Sequence, residues 1–256
     1  MMYMLAALIS FLATLAGAVF GIGGGVMIKP ALGAATGLSL PHINALSGLT
    51  VLCMAAVSLT RYLKSGTGLN RKLIWLSLGA VGGGFLGKTL FDLLELALPE
   101  NHAKILQYAL LIFLLALALF KNRVRSFGIQ NAAALALSGL FMGTLSAFLG
   151  IGGGPINLLV LYAVLGLDAK QAAVYSVFMI LCSQLSMAGV TAASGGYAGM
   201  DMRPLWTMIP AAIAGGLIGP VFHKKWELKR FERYYSWLLW ALIALNAYNI
   251  AYALFT

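Results

Sequence analysis

The sequence predicts an all-α membrane protein built from two inverted repeats of about four helical segments, each opening with a helix broken at the motif GIGGG. Three observations lead to this fold class. Hydrophobic residues make up 61% of the chain and charged residues only 9%, whereas soluble domains average about half apolar and a quarter charged. The uncharged runs are long enough to cross a bilayer. The motif GIGGG occurs twice, at 21–25 and at 150–154.

The uncharged runs predict the helices that cross the membrane, because a helix needs about 20 apolar residues to span the hydrocarbon layer. Neither a basic stretch nor a small-residue cleavage site precedes the first run, so we expect it to be retained rather than removed as a signal peptide. The chain contains eight apolar segments of suitable length with few or no charges, near 3–20, 43–62, 73–92, 103–120, 131–149, 171–192, 204–222 and 234–254.

The chain is an internal duplication. At an offset of 129, the motif at 21–25 recurs at 150–154 and Ser47 recurs as Ser176. At an offset of 132, three glycines of the third segment recur in the seventh, where a spacing of four indicates close helix packing; they are Gly83, Gly84 and Gly87, and Gly215, Gly216 and Gly219. Such ordered matches predict two repeats, 1–122 and 127–256, joined by a basic linker at 121–125 within one membrane domain.

The distribution of Lys and Arg favours inversion of the repeats. If all eight segments crossed fully, the two sides of the membrane would carry eight and nine basic residues. If each opening segment instead breaks at GIGGG and returns as a short helix, at 26–36 or 155–166, the counts become thirteen and four. Because basic residues concentrate on the cytoplasmic side, the second arrangement is preferred. Against it, residues 3–20 are long enough to cross alone.

The glycine runs predict helix interruptions, because each glycine in a helix costs about 1 kcal/mol relative to alanine. Non-helical backbone at membrane depth is tolerated only inside protein or beside a water-filled cavity. A helix that starts there directs free N–H groups and a partial positive charge into the cavity, which suits an anion. We therefore expect two helix starts to face one shared chamber and to bind substrate through Gly23, Gly24, Gly25, Gly152, Gly153 and Gly154.

Polar side chains within the apolar segments complete the predicted site. Asn44, Ser47 and Thr50 share one helix face. Lys29 lies one turn into the first short helix, where it would offset the charge of a substrate. The alternatives are a lysine that reaches the interface and hydroxyls that bond to their own backbone. The predicted substrate-binding side chains are Lys29, Asn44, Ser47, Thr50, Asn157, Ser176 and Gln184.

Several classes of function are disfavoured. All seven acidic residues fall at segment ends or in loops, whereas cation carriers place carboxylates at mid-membrane. Cys53 and Cys182 lie singly within segments and predict buried apolar residues rather than a metal site. The motifs of intramembrane proteases and of dinucleotide-binding enzymes are incomplete, so we expect no catalytic residues, metal or cofactor. The net charge of +10 follows from basic loops and does not indicate nucleic acid.

The duplicated unit with GIGGG at 21–25 and 150–154 resembles the sulfite exporter TauE/SafE family, also called the toluenesulfonate uptake permease family, over essentially the whole chain. The resemblance implies a transporter in the cytoplasmic membrane of a prokaryote that carries a sulfur-containing anion such as sulfite, sulfoacetate or another sulfonate. The expected mechanism is secondary transport by alternating access, with a passive anion channel as the alternative. The expected partners are a small anionic substrate and the lipid bilayer, but no nucleic acid, while a homo-oligomer is left open.

Overall fold

The computed structural model describes residues 2–65, 70–120 and 126–255, and its secondary structure in these ranges is entirely helical. Eight of the helices are long and apolar enough to cross a membrane, which confirms the predicted all-α membrane fold with eight apolar segments. The other two, α2 and α7, are the short helices predicted to follow GIGGG, and each begins one residue earlier than expected. The helices are α1 (Met2–Phe20), α2 (Gly25–Ala35), α3 (Leu40–Lys64), α4 (Lys72–Ala97), α5 (Glu100–Leu119), α6 (Ala132–Leu149), α7 (Gly154–Leu165), α8 (Ala169–Ala193), α9 (Leu205–Lys225) and α10 (Leu228–Phe255).

Both GIGGG stretches interrupt the helix, as predicted. Gly23 in the first stretch has a φ angle of 66°, and Gly152 in the second has a φ angle of 82°. A residue with a Cβ rarely adopts such angles, so glycine is needed where one helix stops and the next starts in a new direction. Pro155 follows within the first turn of α7, where its missing N–H costs no helical hydrogen bond.

The first interrupted pair, α1 and α2, enters the bundle and returns to the same end. Thr207 Oγ1, at the start of α9, donates to the carbonyl oxygen of Tyr3 at 3.2 Å. His42 Nε2, at the start of α3, lies 2.7 Å from the carbonyl oxygen of Asp201 in the loop before α9. The starts of α1 and α3 therefore lie at one end of the bundle, and the chain reverses between them.

The second interrupted pair, α6 and α7, reverses in the same way. The amide of Phe127, ahead of α6, donates to the carbonyl oxygen of Ala163 near the end of α7 at 2.8 Å. Because the chain reverses at this pair too, α9 runs in the same direction as α3. The two helices end side by side, and residues of both line one groove. We call this end of the bundle the basic end, after four residues of that groove: Arg61, Lys64, Lys224 and Lys225.

The central helices of the two repeats, α3 and α8, run antiparallel. Gly48 of α3 lies against Met187 of α8, whereas Val51, further along α3, meets Ile180, which comes earlier in α8. The antiparallel course supports inverted repeats. The repeat boundaries and their orientation in a bilayer stay predictions, and the linker at 121–125 lies outside the described residues.

Each repeat holds the opening helix of the other. α4 packs along α6, and its counterpart α9 packs along α1. A Cβ added to Gly87 would lie 2.8 Å from the Cβ of Ala147, and one added to Gly219 would lie 3.0 Å from the amide nitrogen of Val19. These contacts confirm that the glycines spaced four apart serve close helix packing. In each predicted repeat, one helix therefore packs against the opening helix of the other repeat.

Large apolar side chains cover the outside of the bundle. In water so much exposed apolar surface would drive aggregation, whereas in a bilayer it faces lipid tails. Five side chains from α1, α4, α6, α9 and α10 that are at least half exposed illustrate this surface: Leu8, Phe85, Phe141, Trp206 and Trp240.

Candidate functional site

The two glycine breaks meet at the centre of the bundle. Gly25 lies against the backbone of Ile151, since a Cβ on Gly25 would come within 2.6 Å of the Ile151 carbonyl oxygen. Gly154 lies even closer to the backbone of Ile22. Residues 21–26 and 150–158 are all buried. The starts of α2 and α7 are therefore adjacent inside the protein, and neither break faces lipid.

Direct contact between the breaks differs from the shared chamber that the sequence suggested. The backbone of Ile22 or Ile151, the isoleucine of each GIGGG motif, packs directly against a glycine of the opposite break. Val51 and Ile180 flank both stretches from α3 and α8. In this conformation apolar packing occupies the midpoint, so a chamber between the breaks would form only if they moved apart.

Six buried polar side chains surround the second break, and we call them the polar cluster. Ser146, near the end of α6, joins two residues of α8: its Oγ lies 3.0 Å from the Oγ of Ser183 and accepts a hydrogen bond from Gln184 Nε2 at 3.2 Å. Four helices, α3, α6, α7 and α8, thus contribute to one site. The members are Asn44, Ser47, Ser146, Asn157, Ser183 and Gln184.

The amide side chains of the polar cluster lie next to the broken backbone. Asn44 Oδ1 lies 2.6 Å from the point where a Cβ on Gly150 would stand, and Asn157 Oδ1 lies 3.3 Å from the corresponding point of Gly153. The first amides of α7 lack carbonyl partners within the helix, as at any helix start. Donors from the backbone and polar atoms from side chains therefore converge on the second break.

Much of the polar cluster is unpaired. Among the described residues no hydrogen-bond partner is found for the side-chain polar atoms of Asn44, for Ser47 Oγ, for Asn157 Oδ1 or for Gln184 Oε1. All four side chains are less than a tenth exposed. Because an unpaired buried polar group costs about 1–3 kcal/mol, such a concentration is unusual in a packed interior. It is typical of a site that a bound molecule completes.

Two of the other predicted side chains are engaged by backbone. Thr50 Oγ1 donates to the carbonyl oxygen of Leu46 in its own helix at 2.7 Å, which is the alternative that the sequence left open. Ser176 Oγ donates to the carbonyl oxygen of Gly21 at 2.6 Å and thereby ties α8 to the first break. Their predicted roles in substrate binding stay predictions.

Lys29 is buried and fastens the end of α6. Its ammonium donates to the carbonyl oxygen of Leu149, the last residue of α6, at 2.7 Å, and to the side-chain oxygen of Gln107 on α5. Gln107 Nε2 in turn donates to the carbonyl oxygen of Phe148 at 2.9 Å. A cation is favourable beside the free carbonyls of a helix end. Lys29 is therefore not a lysine that reaches the interface, and its charge lies next to the residue that precedes the second break.

A cavity of about 180 Å³ opens at the end opposite the basic end, and we call it the vestibule. Asn44 belongs both to the vestibule and to the polar cluster, so the vestibule leads towards the second break. Lys88 lies in its wall and pairs with Asp92 one turn further along α4. The lining residues include Pro41, Asn44, Lys88, Ala147, Met187 and Thr191.

Rings fill the equivalent place at the basic end, and we call them the aromatic seal: Phe20, Tyr62, His223, Phe231 and Tyr235. The ring centroids of Tyr62 and His223 are 5.1 Å apart. Tyr62 Oη donates to the carbonyl oxygen of Ala18 at 2.5 Å, and His223 Nδ1 lies 2.8 Å from the carbonyl oxygen of Val19. The aromatic seal is therefore anchored to the end of α1.

Sequence reasoning missed four residues of this region. Ser146 lies four residues before GIGGG and Ser183 precedes Gln184, so proximity to predicted residues was the available signal. Lys88 is a charge inside an apolar segment. The partnership of Gln107 with Lys29 joins residues 78 positions apart and had no local signal. The described residues contain no group of three or more His, Cys, Asp or Glu that could hold a metal ion.

Comparison with known families gives a match along nearly the whole chain. Residues 6–246 match the family described as Sulfite exporter TauE/SafE. A search of the curated proteins gave no match, and neither did a search of the solved structures. The matched range includes both glycine breaks, the polar cluster, the vestibule and the aromatic seal. The chain therefore belongs to the sulfite exporter TauE/SafE family.

Proposed function

We propose that this protein is a secondary transporter that moves a small sulfur-containing anion, such as sulfite, sulfoacetate or another sulfonate, across the cytoplasmic membrane of a prokaryote by alternating access. Membership of the family implies transport of a sulfur-containing anion across a membrane. It also implies a transporter rather than an enzyme. The substrate and the mechanism are inferred from the geometry of the site.

The observation that carries the proposal is a difference between equivalent positions at the two ends. Tyr62 and Ala18 are in contact and close the basic end. At the offset of 129 their counterparts are Thr191 and Ala147, which both line the open vestibule. Equivalent positions of the two repeats are thus in contact at the basic end and separated by the vestibule at the other end. Alternating access requires such a state, together with its converse.

The interrupted helices supply attraction for an anion. α2 and α7 start beside each other in the interior, so the partial positive charges of two helix N-termini lie close together. Anions bind at such starts through free backbone amides. A sulfonate or sulfite presents several oxygen acceptors to these donors. No carboxylate is among the buried side chains of the described residues. Asp92 and Glu95 line the vestibule beside Lys88 but do not reach the polar cluster.

The packing at the midpoint supports a carrier over a channel. A pore has to be continuous when it conducts, whereas here the contact of Gly25 with Ile151 and that of Gly154 with Ile22 separate the vestibule from the basic end. A carrier needs such a barrier in each state. The glycine breaks permit it because the two backbones approach without intervening side chains.

Flux through reconstituted vesicles tests the proposal. Vesicles containing the purified protein and loaded with unlabelled sulfite should accumulate labelled sulfite transiently by counterflow, and uptake should saturate with concentration. Protein-free vesicles are the control. Single-pore currents in planar bilayers, or an absence of counterflow with sulfite and with methanesulfonate, would contradict a carrier of sulfur-containing anions.

A further inference from the structure

The two glycine breaks are equivalent in sequence but have opposite surroundings. At the offset of 129, residues of the polar cluster correspond to apolar or small residues beside the first break: Gly17 for Ser146, Ile28 for Asn157, Met54 for Ser183, Ala55 for Gln184, and Ala173 for Asn44. All of these are buried. Gly17 lies against Gly24, as its counterpart Ser146 lies against Gly153. The equivalence is therefore spatial as well as sequential.

One pair of serines shows the difference most clearly. Ser176 Oγ donates to the carbonyl oxygen of Gly21 and so occupies a carbonyl of the first break. Its counterpart is Ser47, and the equivalent bond would go to Gly150. Ser47 Oγ is fully buried but has no hydrogen-bond partner among the described residues. Ser176 thus hydrogen-bonds to the backbone of the first break, whereas the hydroxyl of Ser47 can bond to a ligand at the second break.

The second break is also the more accessible of the two from outside the protein. The vestibule reaches Asn44, beside the second break. Beside the first break the corresponding route ends at Tyr62 and His223 of the aromatic seal. In this conformation a solute from the vestibule therefore meets only one of the two breaks.

We propose that the protein binds one anion per chain, at the second break, through the polar cluster and the start of α7, while the first break is a structural counterpart that binds none. This inference rests on the proposed function. The hydroxyl of Ser47 and the side-chain amide nitrogens of Asn44 and Asn157 donate to the oxygens of the anion, together with the free backbone amides at Gly153 and Gly154. Gln184, whose Nε2 donates to Ser146, holds the polar cluster in place.

The charge balance of this site selects an anion with a single negative charge. The polar cluster contains no ionisable side chain. Of the described lysines and arginines only Lys29 is buried, and its ammonium binds the carbonyl oxygen of Leu149, next to Gly150. One ammonium offsets one negative charge, whereas the second charge of a dianion would be buried without a counter-ion, which is costly. Sulfonates without a second acidic group, such as methanesulfonate, and bisulfite therefore fit the site, whereas the dianions sulfate and sulfoacetate do not.

Paired variants of the equivalent serines test the location. Methanesulfonate, a permanent monoanion, serves as the probe, and its affinity is measured from the rise in the melting temperature of the purified full chain with concentration. Ser47→Ala should weaken binding about ten- to a hundredfold, the range for one lost hydrogen bond to a charged group. It should raise the melting temperature without ligand, because it removes an unpaired buried hydroxyl. Ser176→Ala should lower that melting temperature and leave the affinity unchanged. Asn157→Leu should behave as Ser47→Ala does.

The outcomes separate the inference from the function on which it rests. If the unmodified protein exchanges sulfite across vesicles while Ser47→Ala and Asn157→Leu bind methanesulfonate normally, the location at the second break is wrong and the function stands. If Ser176→Ala weakens binding as much as Ser47→Ala, both breaks bind and the asymmetry is refuted. Sodium sulfate that stabilises the protein as strongly as methanesulfonate would refute the single charge. Failure of the unmodified protein to exchange sulfite would overturn the function itself.

Discussion

The contact between the two glycine breaks predicts the effect of a single methyl group. In Gly25→Ala the new Cβ would lie 2.6 Å from the carbonyl oxygen of Ile151, and 2.7 Å from its carbonyl carbon. These are backbone atoms, so they cannot move aside as the end of a flexible side chain would. Gly154→Ala places its methyl group against the backbone of Ile22 in the same way. Both variants should therefore be destabilised.

Gly189→Ala is the matched control. Gly189 lies within α8, and a Cβ there meets no atom within 4 Å. Its only expected effect is the gain in helix propensity, about 1 kcal/mol. Overfilling a packed interior costs about 1–3 kcal/mol, so with the gain in the control Gly25→Ala should be less stable than Gly189→Ala by about 2–4 kcal/mol. For a chain of this size the difference corresponds to about 4–16 °C in melting temperature.

The assay is thermal unfolding of the three purified variants in one detergent without added anion. Gly154→Ala should melt at the lowest temperature, because its methyl group would come closer to the backbone of Ile22 than the methyl group of Gly25→Ala comes to the backbone of Ile151. If Gly25→Ala and Gly154→Ala melt as high as Gly189→Ala, the breaks are not in contact. The barrier proposed at the midpoint would then lose its basis.

Three further predictions concern the surroundings of the site. Lys29→Met should lower the free energy of unfolding by about 1–3 kcal/mol, because it removes the donor to the carbonyl oxygen of Leu149 and to Gln107 Oε1; chemical or thermal unfolding measures this. Thr191→Tyr should abolish sulfite counterflow without lowering the melting temperature, because a tyrosine there closes the vestibule as Tyr62 closes the basic end. Lys88→Gln should slow uptake at low salt and less so at high salt, because salt screens the lost attraction for anions.

Each of these changes has a matched control, either at an equivalent position, at the same position or on another helix. Leu158 is the counterpart of Lys29, so Leu158→Met should have little effect on stability. Thr191→Val keeps the volume of threonine and should leave counterflow intact. Lys104, which pairs with Glu100 on α5, lies outside the vestibule lining, so Lys104→Gln should not alter the salt dependence of uptake. Equal effects of Lys88→Gln and Lys104→Gln would contradict a specific role for the vestibule lysine.

The sequence was sufficient for the helices and the breaks because both depend on local composition. Long apolar runs form helices in a membrane whatever their partners, and contiguous glycines stop a helix wherever they occur. The offset of 129 relates Gly25 to Gly154 and Ser47 to Ser176 by sequence alone. These relations are what make the differences between the repeats visible.

The hydrogen-bond partners could not be predicted because they depend on packing between distant segments. Ser47 and Ser176 are equivalent in sequence, yet only Ser176 finds a carbonyl oxygen. Lys29 was expected to face a substrate, but its ammonium lies at the end of α6, since Gln107 and Leu149 meet it there. The shared chamber was expected because helix starts attract anions, but the backbones of the two breaks are in direct contact there, with Val51 and Ile180 beside them.

The differences between the repeats also determine how strongly one conformation is favoured. In an inverted pair of identical repeats the two end states would be equally stable, so the closure of the basic end here depends on residues that the repeats do not share. Two hydrogen bonds anchor the aromatic seal, from Tyr62 to Ala18 and between His223 and Val19. At about 0.5–1.5 kcal/mol each, they favour this state by about 1–3 kcal/mol, or roughly 5- to 150-fold. A complete reversal from 1:99 to 99:1 takes about 5.5 kcal/mol, so a bias of this size leaves the opposite state accessible. Tyr62→Phe should therefore shift the population towards opening at the basic end while the anion site stays intact, and thiol labelling of a cysteine introduced at Ala18 should then be faster. Unchanged labelling would show that ring packing alone, without the hydrogen bond, holds the seal.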